Sequence, residues 1–99
     1  MEKLSSQGRI IAIVEKLAGK QIEGMSNKAL AHELKTTEAN ACRDLKILEA
    51  RGWIEKSGPL GKWRLTPKFG GFAGQIIKGF QSAKLRLSED EARYASAMQ

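Results

Sequence analysis

The sequence predicts a mainly α-helical fold with a small β-hairpin and further helices toward its C-terminal end. Three observations carry that expectation. Apolar residues recur at helical spacing in the first half of the chain, at Ile10, Ile13, Val14 and Leu17 and again at Ala41, Leu45 and Leu48. The period falls to two between Trp53 and Thr66, on either side of a GPLG turn. A helical stripe then returns after Pro67, at Phe69, Phe72, Ala73, Ile76, Ile77 and Phe80.

The first helix is expected over Ser6 to Ala18, with Ile11 and Ala18 widening its stripe and Gly19 supplying a left-handed turn at its end. Ser26 is a good N-cap for a short second helix through Ala29, Leu30 and Leu34 to about Lys35. Thr36 or Thr37 caps the third, which runs from Glu38 to Ala50 and stops at Gly52, with Glu38 at the positive end of its dipole. Trp53 to Ser57 and Lys62 to Thr66 read as two short strands. In KWRLT, Trp63 and Leu65 point one way and Lys62 and Arg64 the other. Both tryptophans are expected to pack at the core and the hairpin root rather than stack on bases. Pro67 can open a fourth helix, which carries interior glycines and so must dock on something. Ser88 followed by Glu91 is a capping-box pattern that opens a last, polar helical segment.

Ninety-nine residues bury one modest core. Seventeen Lys and Arg against eleven Asp and Glu give a net charge of +6, which favours a polyanionic partner, nucleic acid first and anionic membrane second. The longest apolar run, Ile10 to Val14, is far below the ~20 residues of a membrane span, and no signal-peptide pattern is present, so a cytoplasmic protein is expected. Cys42 and His32 are each the single residue of their type. No disulfide, metal site or other cofactor is therefore expected, nor an enzyme, since no nucleophile pattern with a base and no phosphate loop occurs.

The third helix has two unlike faces. At ~100° per residue, Ala41, Leu45 and Leu48 form a core stripe, while Ala39, Arg43, Lys46 and Ala50 gather opposite, with Asn40 and Ile47 at the margin. Reading a DNA groove needs a face free of bulky acids, a guanidinium fork for guanine and an amide for adenine, and Arg43 and Asn40 are those two chemistries. Lys46, Lys62 and Arg64 suit phosphate, where charge and reach suffice.

Helix, short helix, tight turn, longer helix and hairpin is the element order of a winged helix-turn-helix domain. The stretch SNKALAHELKTTEANACRDLKILEARGWIEKSGPLGKWRLTPKFG resembles the winged DNA-binding domains of bacterial regulators, with the IclR type most similar and the DeoR and MarR types also similar. The resemblance covers about Gln7 to Phe69. It implies a recognition helix at about 38–50 in the major groove, with Thr37, Ala39, Asn40 and Arg43 at its contacting end, and a wing at about 53–66 that brings Lys62 and Arg64 to the backbone. Two positions depart from the pattern: Ala39 replaces the usual first-turn Ser or Thr, and Lys35 stands in the turn where such sequences often have Gly. Asp44 is commonly Asp in DeoR-type sequences and apolar in many IclR-type ones. No large effector domain like the one that follows the wing in those regulators is evident, so a regulator of this kind is expected to sense nothing through such a domain, or the chain is a fragment of one that does.

The expected organisation is a winged domain over 1–67 and a helical extension over 68–99. The apolar stripe of the extension, with Phe69, Phe72, Ile76 and Phe80, admits three uses: covering the widened stripe of helix one, pairing with its mate in a homodimer through helix 69–83, or holding another protein. The expected function is sequence-specific binding of double-stranded DNA by a small transcriptional regulator. The competing one is a winged-helix adaptor that docks proteins without DNA.

Overall fold

The computed structural model describes residues 4–99. Residues 1–3, which the expected first domain includes, lie outside the described residues. The chain is mainly helical with one antiparallel hairpin, in the order α1 (Ser6–Ala18), α2 (Asn27–Glu33), α3 (Glu38–Ala50), β1 (Ile54–Ser57), β2 (Lys62–Leu65) and α4 (Lys68–Ala97). It divides into two compact units, one up to Lys68 and one from Phe69 to Gln99.

In the first unit the helix ends follow local chemistry. The hydroxyls of Ser5, Ser26 and Thr37 accept from the backbone N–H groups of Gly8, Ala29 and Asn40 at 3.0–3.1 Å, so each helix starts with one otherwise orphaned donor satisfied. Helix α3 ends in a Schellman motif: Gly52, at φ +73°, donates to Glu49 O and Trp53 donates to Leu48 O. The same motif closes α2, where Lys35 donates to His32 O and Thr36 to Ala31 O. Here the left-handed residue is Lys35 itself, at φ 53°. The position where a Schellman motif most often carries Gly is therefore occupied by a side chain in a conformation that costs on the order of 1 kcal/mol.

Gly19 does not act as expected. It lies in the right-handed region at φ −80°, and a tight turn continues from Gly19 N to Lys16 O and from Lys20 N to Leu17 O. The left-handed residue falls five positions later, at Gly24, because that is where the chain must reverse to meet β2. Met25 then pairs with Trp63, each N–H donating to the other's carbonyl at 3.1 and 2.9 Å. The Gln21 carboxamide continues this edge, its Nε2 donating to Leu65 O at 2.9 Å and its Oε1 accepting from Leu65 N at 3.2 Å. A side-chain amide thus does for β2 what a further peptide group would do.

The hairpin pairs Ile54 with Leu65, Glu55 with Arg64, Lys56 with Trp63 and Ser57 with Lys62. Opposed residues share a face, so Ile54, Trp63 and Leu65 enter the core while Glu55, Ser57, Lys62 and Arg64 share the other side. Trp63 is buried and donates from Nε1 to Asn27 Oδ1 at 2.6 Å, which satisfies its one polar atom; Trp53 is half-buried. The core gathers Ile13 and Leu17 from α1, Leu30 from α2, Ala41, Leu45 and Leu48 from α3, and the inward hairpin residues. Each large apolar side chain there contributes roughly 1.5–3 kcal/mol by leaving water. Ile11, expected to need a cover, is 63% exposed.

The second unit is one helix, where two segments were expected. Ser88 lies inside α4 and starts nothing, although Glu91 stands three residues on. A capping box marks a start only where the preceding chain has left the helix. Between Gly79 and Met98 no Gly or Pro breaks a run of good helix formers. The helix begins at Lys68, one residue after Pro67, and no side chain along it is buried.

Candidate nucleic-acid interface

Helix α3 is held by its buried stripe, and that stripe contains one residue out of character. Asp44 is 3% exposed among Ala41, Leu45 and Leu48. Its Oδ2 accepts from Arg9 Nε at 2.8 Å, and both side chains are shielded, at 15% and 5% exposure. This ion pair bridges α1 and α3 across 35 positions of sequence. Sequence reasoning missed it; the signal was an acid placed on the core stripe, three residues after Ala41 and four before Leu48, which demands a cation somewhere.

The opposite face of α3 is open. Ala39, Arg43, Lys46, Ile47 and Ala50 are all exposed, and Asn40 is half-buried. Two of its polar side chains, with that of Thr36 just before the N-cap, form a chain of hydrogen bonds. Asn40 Nδ2 donates to Thr36 Oγ1 at 3.0 Å, and Asn40 Oδ1 accepts from Arg43 Nη2. Asn40 and Arg43, three apart, are neighbours on one helical face, while Thr36 reaches the first turn from just before the N-cap. Thr37, expected at the interface, spends its hydroxyl as the N-cap. Lys46 makes no hydrogen bond or ion pair with any described residue.

On the hairpin, Lys62 and Arg64 share a face as expected, but they share it with an acid. Arg64 donates from Nε and from Nη2 to Glu55 Oε2, both at 2.8 Å. The Glu55 carboxylate thereby neutralises one of the two cations, an effect visible only once register sets residue 55 opposite 64. Lys56 turns over the Trp63 ring at 5.2 Å from its centroid. A shallow cleft lies between the Ile22–Gly24 turn and this face, lined in part by Glu23, Pro59, Leu60, Lys62 and Arg64. No hydrogen bond or ion pair among the described residues joins the α3 group to Lys62 or Arg64.

The residues expected to dimerise all lie on α4. Phe69 and Phe72 are half-buried and meet edge to face, with ring centroids 5.7 Å apart and planes at 79°, while Ile76 and Phe80 are exposed. Among the described residues, no group of three or more His, Cys, Asp or Glu is placed to hold a metal ion. No helix of the described residues is long and apolar enough to cross a membrane. No family model matches the chain, and no curated protein matches it significantly.

Proposed function

We propose that the first unit is a winged helix-turn-helix that binds double-stranded DNA sequence-specifically, as a small bacterial-type transcriptional regulator resembling the IclR type. In this reading α3 enters the major groove and the hairpin is the wing on the backbone. The observation that carries the proposal is the exposed arc of α3, where Arg43 and Lys46 stand between Ala39 and Ala50 with no carboxylate in the arc. Small flanking residues let a helix approach base edges, and the two cations meet the negative potential there.

Arg43 is the residue for guanine, through a bidentate contact to O6 and N7. Asn40, with both ends of its amide engaged by Thr36 and Arg43, aims that guanidinium and is freed for adenine only if those bonds open. Ile47, 53% exposed beside Arg43, offers an apolar contact to a thymine methyl. Lys46 and Lys62 neutralise phosphates. Arg64 does so only when a phosphate displaces Glu55. Accordingly, Glu55→Gln, which keeps shape and removes charge, is expected to tighten non-specific duplex binding and steepen the log–log salt slope by about 1, measured by fluorescence anisotropy.

The testing experiment is anisotropy of a labelled random-sequence duplex over a salt series, with the wild-type chain beside Arg43→Ala/Lys46→Ala. The expected result is a wild-type slope equivalent to several phosphates, with the double variant weaker by about 10-fold or more and its slope lower by up to about 2. No binding at low salt, or equal binding by the variant, overturns the assignment of this face. A second reading, a protein-docking module, is favoured by one observation: Glu55 already neutralises Arg64. That reading requires function to survive the double substitution.

A further inference from the structure

Helix α4 is 30 residues long, about 45 Å, and none of its side chains is buried. It contains Gly70, Gly71, Gly74 and Gly79, each lowering helix propensity by about 1 kcal/mol relative to Ala. A helix so handicapped draws its stability from packing of an apolar face. Such a face is present. Phe69, Ala73, Ile76, Phe80 and Ala83 follow each other at alternating steps of four and three, and the alternation continues through Leu87, Asp90 and Tyr94. That is the seam of a two-stranded coiled coil, and joining the two expected segments into one helix makes it continuous. Phe80, Leu87 and Tyr94 on this seam are 64%, 70% and 73% exposed. Across two copies the exposed apolar side chains of this face amount to on the order of 1,000 Å², enough for specific association.

We infer that α4 pairs with α4 of a second copy as an antiparallel coiled coil whose twofold axis lies between Gln81 and Ser82. Self-complementarity selects this occupant and this direction. About that axis Phe80 meets Ala83 of the mate, a large side chain against a small one, while Ile76 meets Leu87 and Phe69 meets Tyr94, so the large apolar residues of the seam all face apolar partners. Asp90 then faces Ala73 and keeps its bond to Arg93 at 3.1 Å. A parallel pair would set Asp90 against its own copy and Phe80 against Phe80. Its one gain, Arg86 to Glu91 across the rim, is a surface pair worth a few tenths of a kcal/mol and does not offset two apposed carboxylates.

The rim fits as well. Antiparallel pairing sets Gly79 beside Arg86, Gly70 beside Glu91 and Phe72 beside Arg93, with no like charges opposed. A Cβ added at Gly70 or Gly79 would meet nothing within 4 Å inside one chain. A long charged side chain arriving from a mate gives that space an occupant. The inference does not depend on DNA binding, and its test is separate.

The test uses the full chain in two measurements. Sedimentation equilibrium is expected to show a dimer, with Leu87→Glu raising its dissociation constant on the order of 100-fold. Melting of the first unit, followed by tryptophan fluorescence, is expected to be unchanged by Leu87→Glu, because Trp53 and Trp63 lie in that unit. Spin labels at Ser96→Cys in a Cys42→Ala chain are expected about 45 Å apart by pulsed electron resonance. A chain that stays monomeric, a dimer indifferent to Leu87→Glu, or labels side by side at roughly 10–20 Å, as in a parallel pair, overturns the inference.

Discussion

Asp44→Ala is expected to lower the unfolding free energy of the first unit by about 3–5 kcal/mol. The loss does not measure what the ion pair contributes. It measures what remains when Arg9, only 15% exposed, keeps its charge and loses the carboxylate at 2.8 Å. A unit of this size holds roughly 3–10 kcal/mol in all, so the loss removes about a third of that stability or more, and unfolds the variant at room temperature at the low end of the range. Urea unfolding followed by tryptophan fluorescence checks the prediction. A drop under 1 kcal/mol would mean that water reaches Arg9 and that the pair is not sealed. The double variant Arg9→Met/Asp44→Leu should recover most of the loss, because a buried pair is usually replaceable by apolar residues of similar volume. Helix α3 meets α1 through this pair, so comparing the DNA affinity of the double variant with wild type shows whether the pair also sets the seating of the proposed recognition helix.

Gly24→Ala is expected to cost about 2–4 kcal/mol, from two sources that act together. The residue sits at φ +69°, which an L side chain adopts at a penalty. The added Cβ would lie 2.9 Å from both Lys62 Cβ and Trp63 O, and one of those is backbone. Relief requires β2 to move away from Met25, which breaks the reciprocal N–H to carbonyl pair at Met25 and Trp63. The effect is therefore expected in two readouts: a lower urea midpoint and faster amide hydrogen exchange at Met25 and Trp63. Gly52→Ala is the control, since Gly52 shares the positive φ at 73° but has nothing within 4 Å of an added Cβ. If both variants lose the same amount, conformation alone accounts for the penalty and the close approach contributes nothing.

Much of the proposed interface was legible because it depends on one helix. Arg43 and Lys46 are exposed and Leu45 and Leu48 buried, as a period of 3.6 requires once Ala41 is inward. The Asn40–Arg43 bond was legible in spacing, and together with the bond to Thr36 it engages both ends of the amide that adenine recognition needs. The state of Arg64 was not legible from its strand alone. Whether it is free or neutralised depends on register, and a shift of one residue would have removed Glu55 from its side.

The sequence by itself determined the span of α1, the cap at Ser26, a threonine cap for α3 at 36 or 37, the stop at Gly52 and the GPLG turn. Each is settled by groups within about five residues of one another, through hydrogen bonds and periodicity that need no distant partner. It misplaced the left-handed glycine and started a helix at Ser88, because a glycine or a capping box states what a residue permits and not what the neighbouring chain does. Only the tertiary structure decided the Arg9–Asp44 bridge, the approach of Gly24 to β2, the Gln21 carboxamide at the sheet edge and the pairing of Glu55 with Arg64. Most of these join residues some 35 to 44 positions apart. Their formation depends on how helices cross and which strand residues oppose, and those relations arise only when the separate stripes pack into one core.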